Sequence, residues 1–587
     1  MSEATMKAGK PKRQSFLHGA LILTVSMIIV KIIGAVFKIP LNAVIGETGM
    51  GYFNTAYAFY SPLYALATAG FPIAIARMVS ENYTLGRYRD IRMVHRASIR
   101  IFFVTGTVGM LIMWLGARPF LAFINNDGAF PAMMVLAPTI LFTCLNSIYR
   151  GYYEGLRNMY PTAMSEIIEA LVKLLIGLTG AWLVVDLALK EYNASGTVFG
   201  GAVESLDYAK AAALPYAAAA AILGISLGSL LSFLALLIRH RTKGDGLSRR
   251  ALYAAPPSHT MHYTIIKLIK TAVPIGIGAI AVNIAASIDA MILQTRIGDI
   301  VAEHSGVLLS MYDGMISNVV MQNLEELPNY LYGCYGNALT VFMLVPTITQ
   351  AFGTSALPSV TDAWTRGHKR EIKSSIESVI RLTALVSIPA GLGIATLASP
   401  ITQILYAGST GAPITARVLI TLGVAGIFAA LSTPLVSILQ AVGRVDLPVK
   451  IMIATLTIKV VLNYVLVAIP QINVIGASLG TLVCYAAEVI LSLFVISRYT
   501  KIHISLTTTF IKPTIASLLC CVTAFLVHGL LDTFLPNVLA TFVAIGAGGA
   551  IYVVSLLLLK AIHRSDVLML PKGEKIAKIL EKHGWIE

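Results

Sequence analysis

Long, uninterrupted apolar runs dominate the sequence, and most have about the 20 residues that an α-helix needs to cross a membrane. The runs are continuously apolar and do not alternate with polar positions, so a membrane β-barrel is excluded. The pattern predicts an all-α integral membrane protein with fourteen transmembrane helices. The expected limits are 16–38, 52–80, 97–124, 131–154, 161–189, 211–240, 263–293, 329–357, 374–397, 413–440, 448–468, 474–498, 508–530 and 536–562.

Composition narrows the class of protein further. Only 12% of the 587 residues are charged and 56% are hydrophobic, which excludes a soluble enzyme, a disordered chain and a nucleic-acid-binding protein. The five cysteines lie in apolar stretches and form no Cys-x-x-Cys pair, so neither a metal site nor a disulfide framework is indicated. We therefore expect no metal and no cofactor.

The distribution of positive charge predicts the orientation of the chain in the membrane. With the N-terminus inside, 33 of the 44 Lys and Arg residues fall in cytoplasmic segments and only 4 in external segments. This bias places both termini in the cytoplasm, and it explains the net charge of +15 without any nucleic acid. Residues 1–15 form a short basic tail, and residues 563–587 form either an amphipathic helix at the inner membrane surface or a solvated tail.

Matching fragments in the two halves of the chain indicate an internal repeat. Each match shifts the sequence by six helices, an even number, so both copies have the same orientation and form two parallel six-helix bundles. The expected parts are an N-lobe at 16–240, a cytoplasmic linker at 241–262, a C-lobe at 263–498 and two extra helices at 499–562. The matching fragments are Gly224-Ile-Ser-Leu-Gly-Ser-Leu230 with Gly476-Ala-Ser-Leu-Gly-Thr-Leu482, and Arg157-x-x-x-Pro161 with Arg444-x-x-x-Pro448.

Charged and aromatic residues inside the spans are the candidate substrate contacts. Lys31 lies halfway along the first span, where a charge needs a partner or a wet cavity, and Lys38 follows it by seven residues on the same face. Snorkelling to the surface explains Lys38 nearly as well. Tyr57, Tyr60 and Tyr64 form a stripe on the second span, which is either an aromatic packing face or a cavity wall for sugars.

Two further groups of charges lie within the spans. Glu169 and Lys173 have the i,i+4 spacing of a helical ion pair, and Lys459 occupies the position equivalent to Lys173 in the repeat. Glu488 is the nearest acidic candidate to neutralise Lys459. These four residues are either structural pairs or part of an ion-coupling route.

Lys38 and Asp289 lie at similar depth near the outer ends of the first and seventh spans. Because these spans are partners in the repeat, we expect the two side chains to face each other as an outer gate.

Motifs of enzymes and of ATP-driven pumps are not found in the sequence. There is no Gly-x-x-x-x-Gly-Lys-Ser/Thr segment, no His-Glu-x-x-His and no nucleophile elbow. The longest predicted external loop, 294–328, carries several acidic residues without metal-ligand spacing, which favours a solvated loop. The chain is therefore not expected to be an enzyme.

Three segments resemble a known family. Ile45–Tyr57, Leu66–Ile75 and Arg150–Ala163 look like the stage V sporulation protein B and polysaccharide exporter group, whose superfamily also holds the MurJ lipid II flippases. The resemblance runs from about residue 16 to 580. It implies fourteen helices, two lobes and alternating access to a central cavity in a bacterial plasma membrane. Lys31-Ile-Ile-Gly34 resembles the basic-x-x-Gly of the flippases' first helix.

The resemblance implies a flippase that moves an undecaprenyl-diphosphate-linked glycan, such as the peptidoglycan precursor lipid II, to the outer leaflet. Its partners would be that lipid, the membrane lipids and a coupling to protons, sodium ions or the membrane potential. A cationic cavity suits the anionic diphosphate. The alternatives are a drug/cation antiporter of the same superfamily and a non-transporting membrane scaffold for wall synthesis or sporulation.

Overall fold

The computed structural model describes residues 16–68, 70–444, 446–502 and 504–561. The predicted basic tail (1–15) and the predicted amphipathic tail (563–587) lie outside these ranges. The described chain is almost entirely helical, apart from one short antiparallel pair of strands, β1 (Thr197–Val198) and β2 (Gly201–Ala202).

Eighteen helices of five residues or more follow one another along the described chain. In chain order they are α1 (Phe16–Thr68), α2 (Phe71–Thr84), α3 (Tyr88–Ile124), α4 (Phe130–Gly155), α5 (Tyr160–Ser195), α6 (Leu206–Lys243), α7 (Arg249–Ala254), α8 (Met261–Met311), α9 (Asn318–Gln322), α10 (Leu327–Phe342), α11 (Leu344–Arg366), α12 (Lys369–Thr396), α13 (Ala398–Leu405), α14 (Ala412–Ala441), α15 (Asp446–Val467), α16 (Val474–Thr500), α17 (Lys512–Leu531) and α18 (Asn537–Leu558).

The prediction of a helical, multi-pass membrane protein is confirmed. Twelve stretches among the described residues are long and apolar enough to cross a membrane. One of them, Val25–Ala65, is 41 residues long and overlaps both of the first two predicted spans.

The expected break between the first two spans is present at Gly46, but it is much shorter than predicted. The sequence predicts that residues 39–51 connect two helices, but α1 continues through them and bends at Gly46, whose φ is +62° and whose ψ is −172°. Pro40 lies inside the same helix. Glycine adopts this backbone conformation without steric cost, so a bend at one residue replaces a loop.

The external segment 294–328 is also more ordered than expected. Helix α8 extends to Met311 with a local distortion at His304, and α9 follows at Asn318. The prediction of a solvated loop is therefore wrong for most of this segment. The predicted span 329–357 is divided between α10 and α11 at Met343.

Proline and glycine set many of the helix boundaries. Prolines in the first turn begin several helices, where the missing N–H would have no helical partner. Gly196 and Gly367 end α5 and α11 in the left-handed conformation. Ser205 caps α6 by accepting a hydrogen bond from the backbone N–H of Tyr208.

Contacts divide the chain into two compact units. The first takes the chain up to Thr295 together with Asn318–Gly333, and the second takes Arg296–Ser317 together with the chain from Cys334 onwards. The core of the first unit is built mainly from α1 to α6, and includes Phe37, Tyr60 and Tyr152. A core of the second unit is built from α11, α12, α14, α15 and α16.

Candidate functional site

The two lysines of α1 differ in their surroundings. Lys31 is exposed, whereas Lys38 is half-buried. They are seven residues apart, so their side chains lie on the same face of the helix. The structure therefore places the buried charge of α1 at Lys38, one residue after the fully buried Phe37.

Lys173 of α5 approaches the same place from the neighbouring helix. Its ammonium group lies 5.3 Å from the centre of the Phe37 ring, within the range of a cation–π contact. It also begins a π-helical turn, Lys173–Gly177, a distortion that is frequent at functional sites. The positive charges of Lys38 and Lys173 repel each other. Two neighbouring half-buried cations, one of them also attracted by Glu169, form a local positive field that favours an anion.

The predicted tyrosine stripe forms a continuous ladder of rings. Phe53 stacks on Tyr57 at 5.1 Å, Tyr57 meets Tyr60 at 5.7 Å, and Tyr60 stacks on Tyr64 at 5.5 Å between ring centres. Tyr60 is buried in the core, while Tyr57 and Tyr64 are half-buried against it. The packing interpretation fits Tyr60, and a role of Tyr57 or Tyr64 in binding sugars stays a prediction.

Glu169 makes its ion pair with Arg150, and not with Lys173 as the i,i+4 spacing suggested. An Nη2 of Arg150 lies 2.9 Å from Glu169 Oε2, and the two side chains are 17% and 27% exposed. Ser229 of α6 donates a second hydrogen bond, 3.0 Å long, to the other carboxylate oxygen. Arg150 also donates from Nε to Ser165 Oγ. The pair therefore joins α4, α5 and α6 of the first unit.

A row of small polar side chains extends this joint along α4 and α6. Thr139 and Ser226 are bonded at 2.6 Å between their hydroxyl oxygens, and Asn146 donates to the backbone oxygen of Ser229 at 2.9 Å. All four are buried. Such bonds hold helices together inside a membrane, where water cannot satisfy the groups. We infer that the Arg150–Glu169 pair belongs to this structural seam.

Arg150 was missed in the sequence analysis because it was counted among the cytoplasmic charges that set the topology. It lies five residues before the end of α4 at Gly155. Two features of the sequence pointed to an ion pair: Arg150 lies in an apolar run, and the acidic Glu169 lies on the next predicted span.

The remaining candidate charges are Glu488, Lys459, Asp289 and Lys38, and their expected pairings stay predictions. Glu488 is 8% exposed and accepts a 2.6 Å hydrogen bond from Ser432 Oγ, so its pairing with Lys459 stays a prediction. Asp289 is buried at 8% exposure, and both it and Lys38 belong to the first unit. The Lys38–Asp289 gate also stays a prediction. No cluster of metal-ligating side chains is present within the described ranges.

Comparison with known proteins finds two family models, one for each part of the chain. The model of the family described as "Polysaccharide biosynthesis protein" matches residues 16–205. The model described as "Lipid II flippase MurJ" matches residues 209–547, more than half of the chain.

Relatives and a solved structure agree with these matches. The chain is 25% identical to the "Lipid II flippase MurJ" of Bacillus subtilis over 82% of each chain. It is 21% identical to the "Stage V sporulation protein B" of the same organism over 95% of this chain and 98% of the relative. Its fold matches the solved structure "Lipid II flippase MurJ, inward closed conformation" with a TM-score of 0.64 and 14% identity, over 92% of this chain and 98% of that one. The resemblance seen in the sequence is confirmed, and the chain belongs to the lipid II flippase MurJ family.

Proposed function

We propose that this protein is a flippase that carries an undecaprenyl-diphosphate-linked glycan, such as lipid II, from the cytoplasmic to the outer leaflet. The family is one of transporters rather than enzymes, and the membrane helices give the chain the setting that a lipid substrate requires. Transport would proceed by alternating access, with coupling to protons, sodium ions or the membrane potential.

One observation carries the proposal, namely the proximity of Lys38 and Lys173, whose charges interact and of which Lys173 lies over the Phe37 ring. Both cations lie within the membrane-spanning helices, where a charge without a task costs several kcal/mol. A diphosphate is the anion of the lipid carrier, and lysine binds phosphate well as a point charge. Lys31, exposed on the same face of α1, would make the first contact with the incoming headgroup.

Fourteen helices in two parallel six-helix bundles remain the proposed architecture, with both termini in the cytoplasm. Close helix contacts at the repeated glycines support the repeat. Gly224 packs against the backbone of Lys173 and Gly177, and Gly480 packs against Asn463 and the backbone of Lys459. The correspondence is partial, because Gly476, the counterpart of Gly224, packs against Leu466 and Val467.

Translocation in proteoliposomes tests the function. Fluorescent lipid II is placed in vesicles with the purified protein, and its exposure to a membrane-impermeant quencher is followed. We expect movement between leaflets that depends on the protein, and no uptake of a cationic dye under a proton or sodium gradient. Dye uptake without lipid movement would favour a drug/cation antiporter, and the absence of both would favour a scaffold.

The lysine pair gives a direct prediction. Lys38→Ala and Lys173→Ala should each lower the translocation rate by about tenfold or more, because each removes one of two charges that bind the diphosphate. Lys38→Arg should retain most of the rate. Lys210→Ala, which removes an exposed lysine of the same unit, is the control and should leave the rate unchanged. If the Lys38→Ala protein is expressed normally and transports at the wild-type rate, Lys38 does not belong to the site.

The outer gate is tested by cross-linking. Lys38→Cys and Asp289→Cys are combined in a background from which the five native cysteines have been removed. We expect the pair to cross-link when the outer side is closed, and to block transport until it is reduced. If an independent measurement shows that the outer side is closed and no cross-link forms, the result contradicts the gate.

A further inference from the structure

A basic cavity of about 490 Å³ lies beside the beginning of α3, away from the charges discussed so far. It is formed by the first three turns of α3 and by the segment around α7. Its size is that of a small-molecule site. The lining residues are Arg89, Arg92, Met93, Arg96, Arg249, Leu252, Tyr253 and Ser258.

The lining is strongly positive. Four of its eight residues are arginines, and none is acidic. The nearby carboxylates are engaged elsewhere. Asp90 accepts a 2.7 Å bond from Arg87 and another from the backbone N–H of His259. Asp245 Oδ2 lies 3.3 Å from Arg92 Nε, and Arg92 is the one arginine of these four with which Asp245 forms an ion pair. Four guanidinium groups that share one carboxylate repel one another, and a ligand of opposite charge relieves that repulsion.

The cavity is partly organised in advance. Arg89 donates from Nε to the backbone oxygen of Leu252 at 2.9 Å and from Nη2 to that of Tyr253 at 3.1 Å, which fixes α7 against α3. Arg96 and Arg249 are exposed and form no ion pair or hydrogen bond with the described residues. Arg89 and Arg92 are thus held in position, while the guanidinium N–H groups of Arg96 and Arg249 remain available to bind a ligand.

A second cavity, of about 300 Å³, adjoins the first and shares Arg92 and Arg96 with it. Its other walls carry hydrogen-bonding groups, including His95, His240 and Tyr152, and the carboxylate of Asp245, which is already bonded to Arg92 and Tyr152. The shared arginines can therefore be reached from both sides. Together the cavities offer room for a headgroup larger than one phosphate.

We propose that this basic cavity binds a phosphate group of charge −2 or more, such as a diphosphate. The planar guanidinium forms two parallel hydrogen bonds to phosphate oxygens, which makes clustered arginines the residues of choice for such a group. Met93, Leu252 and Tyr253 supply the apolar wall that the rest of the ligand would cover. The charge distribution assigns this face to the cytoplasm, where both lipid-borne and soluble diphosphates occur.

Binding to the purified full-length protein tests the site without any transport assay. The probes are inorganic pyrophosphate and farnesyl diphosphate, measured by calorimetry in detergent at about 0.15 M salt. Arg96→Gln/Arg249→Gln should weaken the binding of farnesyl diphosphate by about tenfold or more, because two phosphate partners are lost. Arg96→Lys/Arg249→Lys, which keeps the charge but loses the paired bonds, should fall between this variant and the wild type.

The matched control is Arg100→Gln/Arg250→Gln. It removes two exposed arginines from the same two segments, but neither residue lines the cavity. We expect its affinity to change by less than about twofold. Equal weakening in both double variants would show attraction by net charge alone and would overturn the proposal, as would no binding by the wild type.

The two probes distinguish the source of the ligand. Equal affinity for pyrophosphate and farnesyl diphosphate indicates a site for soluble diphosphates. A clear preference for farnesyl diphosphate indicates a lipid headgroup whose chain reaches the apolar wall. Both results support a diphosphate site. Displacement of farnesyl diphosphate by phosphatidylglycerol at equal concentration would contradict it, because that lipid carries a single charge.

Discussion

Replacing Arg150 by alanine is expected to lower the free energy of unfolding by about 3 kcal/mol, a factor of more than one hundred in the ratio of folded to unfolded protein. The substitution leaves the carboxylate of Glu169 between three helices without the guanidinium that it now meets at 2.9 Å. Ser229 and the more distant charge of Lys173 do not replace the guanidinium at this half-buried carboxylate. Unfolding in mixed micelles, followed by tryptophan fluorescence, measures the loss.

A double-mutant cycle separates this ion pair from other effects. Glu169→Gln removes the charge but keeps an acceptor for Ser229, so Arg150→Ala/Glu169→Gln should cost clearly less than the sum of the two single changes. Arg100→Ala, at an exposed position of α3, should cost less than about 0.5 kcal/mol. Strict additivity in the cycle would mean that the pair contributes nothing specific to stability.

The Arg150 pair also shows where sequence reasoning reached its limit. The i,i+4 spacing of Glu169 and Lys173 predicts an ion pair within one helix, which contributes only about 0.2–0.5 kcal/mol in isolated helices. A guanidinium on the facing helix with several donors is the stronger partner, and only the tertiary packing brings it there. Lys173 is then left to approach Phe37 and Lys38. Local spacing therefore identified the right residues but the wrong pairing.

Membrane-spanning segments were more predictable than their ends. Apolar length alone indicated a multi-pass helical protein, because lipid leaves the backbone no other way to satisfy its polar groups. The predicted spans left residues 39–51 as a connection, whereas these residues are helical in α1 apart from one bend at Gly46. Whether such a segment interrupts or merely bends a helix depends on neighbouring helices, and the sequence of one segment does not contain that information.

The repeated Gly-x-x-x-Gly fragments that stand out in the sequence are sites of close helix contact in the structure. Small residues let helix backbones approach closely inside a membrane, where apolar side chains gain little from contact with each other. In α6, Gly224 faces Gly177, and Gly228 faces the backbone oxygen of Glu169. The fragment thus holds α5, and with it Lys173 and Glu169, against α6.

Gly224→Ala is therefore expected to destabilise the protein by about 3 kcal/mol, at the upper end of the range for an overfilled core. A Cβ at this position would overlap the backbone nitrogen of Gly177 and lie 2.5 Å from its Cα. Both atoms belong to the backbone, so the helices must separate and no side chain can simply turn away. Unfolding in mixed micelles measures the loss.

Gly549→Ala is the matched control, because it lies inside α18 and a Cβ there meets no atom within 4 Å. Alanine favours a helix over glycine by up to about 1 kcal/mol, so this variant should be neutral or slightly stabilised. The two substitutions add the same methyl group to a helical glycine, and their difference isolates the close approach of α5 and α6. If Gly224→Ala were as stable as Gly549→Ala, the contact of Gly224 with Gly177 would not hold the two helices together.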